Sequence, residues 1–229
     1  MIALLPAAGL SRRMGTQKLL LPFGDGTVLE AVIGNLRAAG LTPILCVLSE
    51  ATLRGLRPLA EDVTVLINPA PERGQASSLA IGLDTLPDGE REPFCLMLGD
   101  LPLARPEDMA QLRLAFQCRP DGYTALAPYR EGRFGHPIFM EGLWRGRLRA
   151  AAGDRGGRGI LEAHKGEVLT VEGEDGFFDD LDTPEDYRRV CRPAGLSGAT
   201  KKPPQRGQVI PKSAGCDGFT EDRARRCTG

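Results

Sequence analysis

A chain of 229 residues, 41% hydrophobic and 26% charged, has the composition of an ordinary globular protein, and at ~100 to 200 residues per domain its length suits one large core. A formal net charge of −1 gives no bulk attraction to a nucleic acid backbone, and no apolar run reaches the ~18 residues that a membrane-spanning helix needs. The six cysteines, at 46, 95, 118, 191, 216 and 227, form no CxxC pair, which argues against a thiolate metal cluster.

The start, Met1 to Leu5, has neither a basic leader nor an apolar segment of signal-peptide length, so a soluble cytoplasmic protein without disulfides is expected. Ile2 to Leu5 is a short apolar run without polar alternation, the pattern of a strand buried on both faces. Thr27 to Glu30 has the spacing of a helical capping box, Val28, Leu29, Val32, Ile33 and Leu36 form one apolar stripe, and Gly40 stands where a helix would stop. Strands are then predicted over Pro43 to Leu48, Val63 to Ile67 and Phe94 to Leu98. Helices are predicted between and after them, over Thr52 to Leu59, Ser77 to Leu86 with Ser77 or Ser78 as N-cap, and Pro106 to Phe116. This alternation implies a three-layer α/β fold with a largely parallel sheet.

Beyond residue 120 the pattern is mixed. Strands are predicted over Tyr123 to Ala127, Pro137 to Met140 and Val168 to Val171, and helices over Glu141 to Ala151, Gly159 to Ala163 and Pro184 to Val190, the last capped by Thr183. The domain is expected to span 1–190. Residues 191–229 are rich in Pro, Gly, Ser, Lys and Arg and read as a flexible basic tail.

The chemistry is concentrated in PAAGLSRRMGTQK, Pro6 to Lys18. Gly9, Ser11 and Gly15 are small enough to let backbone N–H groups approach a phosphate, and Arg12, Arg13 and Lys18 supply counter-charge. Neither GxxxxGK[ST] nor GxGxxG is present, so the two commonest phosphate loops do not apply. Asp100 closes an apolar run, where open α/β sheets bind ligands beyond their strand ends; by itself it is either a turn residue or a metal ligand. In the extended stretch Asp179-Asp180-Leu181-Asp182, Asp180 and Asp182 share a side, and gathered with Asp100 they would repel unless a cation such as Mg²⁺ joined them.

These segments form an ordered set. LPAAGLSRRMGTQKLLLPFGDGTVLE, GQASSLAIGL at 74–83, MLGDLPL at 97–103, GRFGHPIF at 132–139, GDRGGRGIL at 153–161 and DLDTPEDY at 180–187 cover nearly all of the chain to residue 190. Together they resemble the MobA-like NTP transferase family, and within it the molybdenum cofactor cytidylyltransferases. The resemblance implies a Rossmann-like nucleotidyltransferase fold of the nucleotide-diphospho-sugar transferase type with a mainly parallel mixed sheet. It also implies Mg²⁺ and transfer of CMP from CTP to molybdopterin, releasing pyrophosphate and supplying a molybdenum hydroxylase, with transient contact with that enzyme or its chaperone.

By the resemblance, Ala7, Ala8, Gly9 and Ser11 contact the nucleotide, Arg13 and Lys18 the triphosphate, and Gln75, Ser77 and Ser78 the nucleotide again. Asp100 and Asp180 hold the metal, with Asp182 either a third ligand or an organiser of the following turn. His136 and Arg155 face the phosphate or pterin of the acceptor. Relatives that use GTP tend to carry Ala-Gly-Gly in place of Ala7-Ala8-Gly9, which favours cytidine; Gly99-Asp100-Leu101-Pro102 departs from the family's Ala-Asp-Gln-Pro but keeps the acid. A phosphate acceptor is already anionic near neutral pH, its second pKa being ~6, so no strong general base is required. The rival readings are guanylyl transfer to molybdopterin, cytidylyl transfer to a sugar or polyol phosphate, and a non-catalytic cofactor chaperone. The retention of Lys18, Asp100 and Asp180 argues against the last.

Overall fold

The computed structural model describes residues 1–11, 13–87, 89, 92–150 and 156–191, so Arg12, Arg155 and all but the first residue of the expected tail lie outside it. The first apolar run is β1 (Ile2–Pro6). A small ribbon of β2 (Pro22–Phe23) and β3 (Gly26–Thr27) leads into α1 (Val28–Ala38), whose capping box forms as the sequence suggests: Thr27 accepts from the Glu30 N–H and Glu30 accepts from the Thr27 N–H. Next come β4 (Ile44–Leu48), α2 (Glu50–Arg54), β5 (Val63–Ile67), α3 (Gln75–Thr85), β6 (Phe94–Leu96) and α4 (Pro106–Gln117). The second half supplies β7 (Ala125–Arg130), β8 (Arg133–Phe134), β9 (Ile138–Met140), α5 (Leu143–Ala150), α6 (Gly156–Ala163), β10 (Val168–Val171) and α7 (Pro184–Val190).

The main sheet runs β10-β7-β9-β6-β1-β4-β5, with β8 attached to β7. From β6 through β1 and β4 to β5 every pairing is parallel, and β10 is parallel to β7, whereas β9 runs antiparallel to both its neighbours. Because successive strand side chains point to opposite faces, each central strand feeds two cores. Ala3, Leu5, Ile44, Cys46 and Leu48 pack with the apolar faces of α1 and α4; Leu4, Leu45 and Val47 pack with α3, α5 and α6. Burial is worth ~1.5–3 kcal/mol for each large apolar side chain, so the sheet is a stiff platform for the loops at its ends. α3 lies especially close to β1, since a Cβ on Gly82 would stand 2.1 Å from Leu4 Cδ1.

Four helices start elsewhere than the pattern predicts: α5 at Leu143 rather than Glu141, α6 at Gly156 rather than Gly159, and α3 and α2 at residues set by their caps. α3 begins at Gln75, capped by Gly74 at φ 85°, a left-handed conformation that glycine adopts at little cost. Ser77 and Ser78 therefore lie inside the helix; Ser77 donates to the Gly74 carbonyl, and both hydroxyls accept from Asn68 Nδ2. α2 begins at Glu50 behind Ser49, whose hydroxyl accepts from the Thr52 N–H, and it ends at Arg54, ahead of Pro58, which could not continue it. The thiols of Cys46 and Cys95 are buried and pushed well above their ordinary pKa by loss of water, so they fill space as protonated side chains. Among the described residues no helix is long and apolar enough to cross a membrane.

Candidate active site

The carboxyl ends of β1 and β6 lie side by side, and the loops leaving them form the site. After Pro6 the chain stays buried through Ala7 and Ala8, with the Ala7 N–H donating to the Val47 carbonyl, and emerges at Gly9 and Leu10. Ser11 adopts φ 49°, unusual for a residue with a side chain. Its hydroxyl holds the loop closed, accepting from the Lys18 N–H at 3.1 Å and donating to Gln17 Oε1 at 2.7 Å.

A backbone tie brings in the acids from far along the chain: the Leu181 N–H donates to the Asp100 carbonyl at 3.2 Å. Asp100, Asp180 and Asp182 are thereby set around the end of β6. Lys18 Nζ donates to Asp100 Oδ2 at 2.6 Å and to Asp182 Oδ1 at 2.8 Å, while Arg13 donates to Asp182 Oδ2 at 2.7 Å. The Lys18 and Asp100 side chains are only 14% and 15% exposed. Burial is the strongest single influence on Lys18 and acts to lower its pKa, but the attraction and hydrogen bonds of Asp100 and then Asp182 together outweigh it, so the ammonium is held more firmly than usual. The hydrogen bond from Lys18 is the main cause of the lowered pKa of Asp182.

Asp180 has the opposite balance. It has no ion pair among the described residues, and burial, then the charges of Asp100 and Asp182, raise its pKa. Its ionised form therefore strains the free protein, so Asp180→Asn should raise Tm at pH 7 by about 1–3 °C, the shift that a fraction of a kcal/mol gives at this chain length. The sign follows because a raised carboxylate pKa favours the neutral form in the fold. An unchanged or lowered Tm in a thermal melt would refute the account of Asp180 as an unrelieved charge.

Asp100 Oδ1 is buried and has no hydrogen-bond partner, and Lys18 and Arg13 bond Asp100 and Asp182 but not Asp180. Both observations fit a site that receives a further cation. Among the described residues no three His, Cys, Asp or Glu side chains are placed to enclose a metal by themselves. Asp100 Oδ1 and the Asp180 carboxylate are the oxygens that would be available to a cation held jointly with substrate phosphates.

One cavity adjoins this cluster, and a second shares Gly74 and Gln75 with the first. The first, about 370 Å³, is lined by Gly9, Leu10, Ser11, Arg13, Lys18 and Asp182 from the loops and by Pro71 and Glu72 opposite. The second, about 420 Å³, has apolar walls that include Leu79, Leu98, Phe134 and Met140, with Arg73, His136 and Arg158 as its charged or titratable members. Loss of water pushes the His136 pKa down to about 4, so its ring is neutral at physiological pH.

The geometry thus gathers Gly9, Ser11, Arg13, Lys18, Gln75, Asp100, Asp180 and Asp182 at one end of the sheet, with His136 in the neighbouring cavity. Ala7 and Ala8 are 3% and 1% exposed, backbone included, and line neither cavity, so the structure does not bring them to the surface of the site. Ser77 and Ser78 line neither cavity and are engaged by Asn68. Arg155 lies outside the described residues. Two residues not singled out from the sequence are present: Gln17 behind the loop and Arg73 at the apolar cavity. Arg158, which the sequence groups with Asp154 and Arg155 in a Gly-rich turn without giving it a role, lies in the first turn of α6 and lines the same cavity.

Comparison with known proteins gives a consistent picture. Residues 3–168 match the MobA-like NTP transferase domain. The chain is 27% identical over 203 residues to the purine catabolism protein PucB of Bacillus subtilis, covering 84% of this chain and 96% of that one. It is 28% identical over 138 residues to the molybdenum cofactor cytidylyltransferase of Escherichia coli, covering 60% and 68% respectively. Among solved structures, Rv0371c of Mycobacterium tuberculosis superposes with a TM-score of 0.69 at 28% identity, over 83% of this chain and 96% of that one. The same mycobacterial protein has been solved in complex with manganese. The architecture is the α/β Rossmann-like nucleotidyltransferase fold with a mixed, largely parallel sheet.

Proposed function

Since this chain belongs to the MobA-like NTP transferase family, we propose that it transfers CMP from CTP to molybdopterin, forming molybdopterin cytosine dinucleotide and releasing pyrophosphate. The observation that carries this reading is the pair of adjoining cavities that meet at Gly74 and Gln75, one loop-lined with Arg13 and Lys18 set against Glu72 and Asp182, the other walled mainly by apolar side chains with Arg73 and Arg158 at its edge. A polyol phosphate would have little use for walls of Leu79, Leu98, Phe134 and Met140, whereas a fused heterocycle would desolvate against them. The likeness to a molybdenum cofactor cytidylyltransferase supports the same acceptor.

In this reading the loop cavity holds CTP. Backbone groups at Gly9 to Ser11 lie along the nucleotide, and Gly74 and Gln75 at the start of α3 bound it from the other side. Lys18 places a point charge where pyrophosphate leaves, and Arg13 offers a forked donor to two phosphate oxygens. Asp100 and Asp180 are the residues that would hold Mg²⁺, with Asp182 chiefly occupied by Lys18 and Arg13. When bound, that ion would supply charge neutralisation to the phosphates. The manganese complex of the mycobacterial relative supports a divalent cation in proteins of this shape.

The acceptor lies in the apolar cavity with its phosphate directed toward the nucleotide. His136, held neutral, reads it by hydrogen bonding rather than by charge, and Arg73 and Arg158 supply the charge instead. Substrates are thus aligned by residues on two loops and one helix start, so positioning and charge neutralisation account for the rate. The product would pass to a molybdenum hydroxylase or its chaperone. The test is pyrophosphate release with Mg²⁺ and molybdopterin, using CTP and GTP in separate reactions. Release with CTP at least tenfold faster than with GTP is expected. A preference for GTP, or turnover with a polyol phosphate and none with molybdopterin, would overturn the assignment.

A further inference from the structure

We propose that Gln17 is a positioning residue: its side chain tethers the nucleotide loop to the rigid start of α2 and thereby fixes where Lys18 points. The inference rests on the reading of that loop as the nucleotide seat. Gln17 uses both ends of its amide, accepting from Ser11 Oγ at 2.7 Å and donating to Thr52 Oγ1 at 2.9 Å. The anchor is buried. Thr52 is 0% and Ser49 4% exposed, their hydroxyls lie 2.9 Å apart, and Ser49 Oγ accepts from the Thr52 N–H at the cap of α2, directly after β4.

The other end of the tether is the strained part of the loop. Ser11 sits at φ 49°, a conformation unfavourable for a residue with a side chain that persists only where its surroundings hold it. Its hydroxyl is bonded by Gln17 and by the Lys18 N–H. Gln17 is itself extended, at φ −70° and ψ 98°, so its side chain and that of Lys18 leave the backbone in different directions. One reaches Thr52, the other Asp100 and Asp182. Releasing Gln17 frees Ser11 and the Lys18 backbone together. The ion cluster then loses its fixed origin even though none of its own atoms has changed.

The test uses the full chain, three single variants and the double variant Gln17→Met with Thr52→Val. Gln17→Met keeps the volume and removes both bonds, Thr52→Val keeps the shape and removes the acceptor, and Thr52→Ser restores it. Hydrogen exchange of peptides covering 9–20, without nucleotide, should be about tenfold faster in Gln17→Met and Thr52→Val and near wild type in Thr52→Ser. The Kd for CTP with Mg²⁺, by calorimetry, should rise about tenfold in the first two variants, with no further rise in the double variant. Unchanged exchange in Gln17→Met overturns the tether whether or not nucleotide binds. Faster exchange with unchanged CTP affinity overturns its part in seating the nucleotide. A wild-type chain that binds no nucleotide overturns the proposed function itself, a result distinct from either of these.

Discussion

Asp100→Asn is expected to lower the rate of pyrophosphate release by about 10³-fold while leaving the fold in place. The carboxylate has two unlike oxygens: Oδ2 accepts from Lys18 at 2.6 Å, and Oδ1 is buried without a partner. Asparagine keeps the shape, and its single carbonyl oxygen can still receive Lys18. What disappears is the second anionic oxygen, the atom available to a cation carrying phosphates. Removing one negative charge from a cluster of three acids and two cations also relieves Asp180, so the variant should melt near the wild-type temperature. Steady-state kinetics and a thermal melt check the two halves. Turnover within a fewfold of wild type would remove Asp100 from the chemistry, and a collapsed melt would mark it as a structural residue.

The parts of this fold that could be read from the sequence are those settled by local rules. Val63–Ile67 and Val168–Val171 were bounded by polar residues and appear as strands over those residues, and both Thr27 and Thr183 cap helices through the capping box. The start of α3 was misplaced because hydroxyl residues suggested a cap, whereas glycine in a left-handed conformation supplied it. At the site, the motif residues could be named but not their partners. That Lys18 meets Asp100 and Asp182 depends on the Leu181–Asp100 backbone bond, which joins segments about eighty residues apart in the sequence. Gln17 carried no signal, since its meaning comes only from Thr52, and the apolar cavity is assembled from β6, β9, α3, α5 and α6. Pattern reading is blind to contacts of that kind because they are made by packing and not by local propensity.

Lys18→Met should be the more damaging substitution, since it acts on turnover and stability together. The leaving pyrophosphate loses its point charge, which predicts a fall in kcat/KM of about 10²–10³-fold. Stability should fall by about 2–3 kcal/mol, less than the ~3–5 of a wholly buried pair because the Asp182 side chain is 39% exposed. The pH dependence separates this cause from simple loss of packing. The Lys18 pKa is raised, so its contribution is fully present below 10.5 and fades only as pH climbs through the folded value. The Asp182 pKa is lowered, so its contribution is present above 3.8 and fades as pH falls through the folded value. The gap in Tm between wild type and Lys18→Met should therefore be flat across neutral pH and shrink on acidification below about 3.8, as Asp182 takes up a proton of its own. A gap of the same size at pH 7 and pH 3 would mean that the methylenes of Lys18, and not its charge, hold the acids and the loop together.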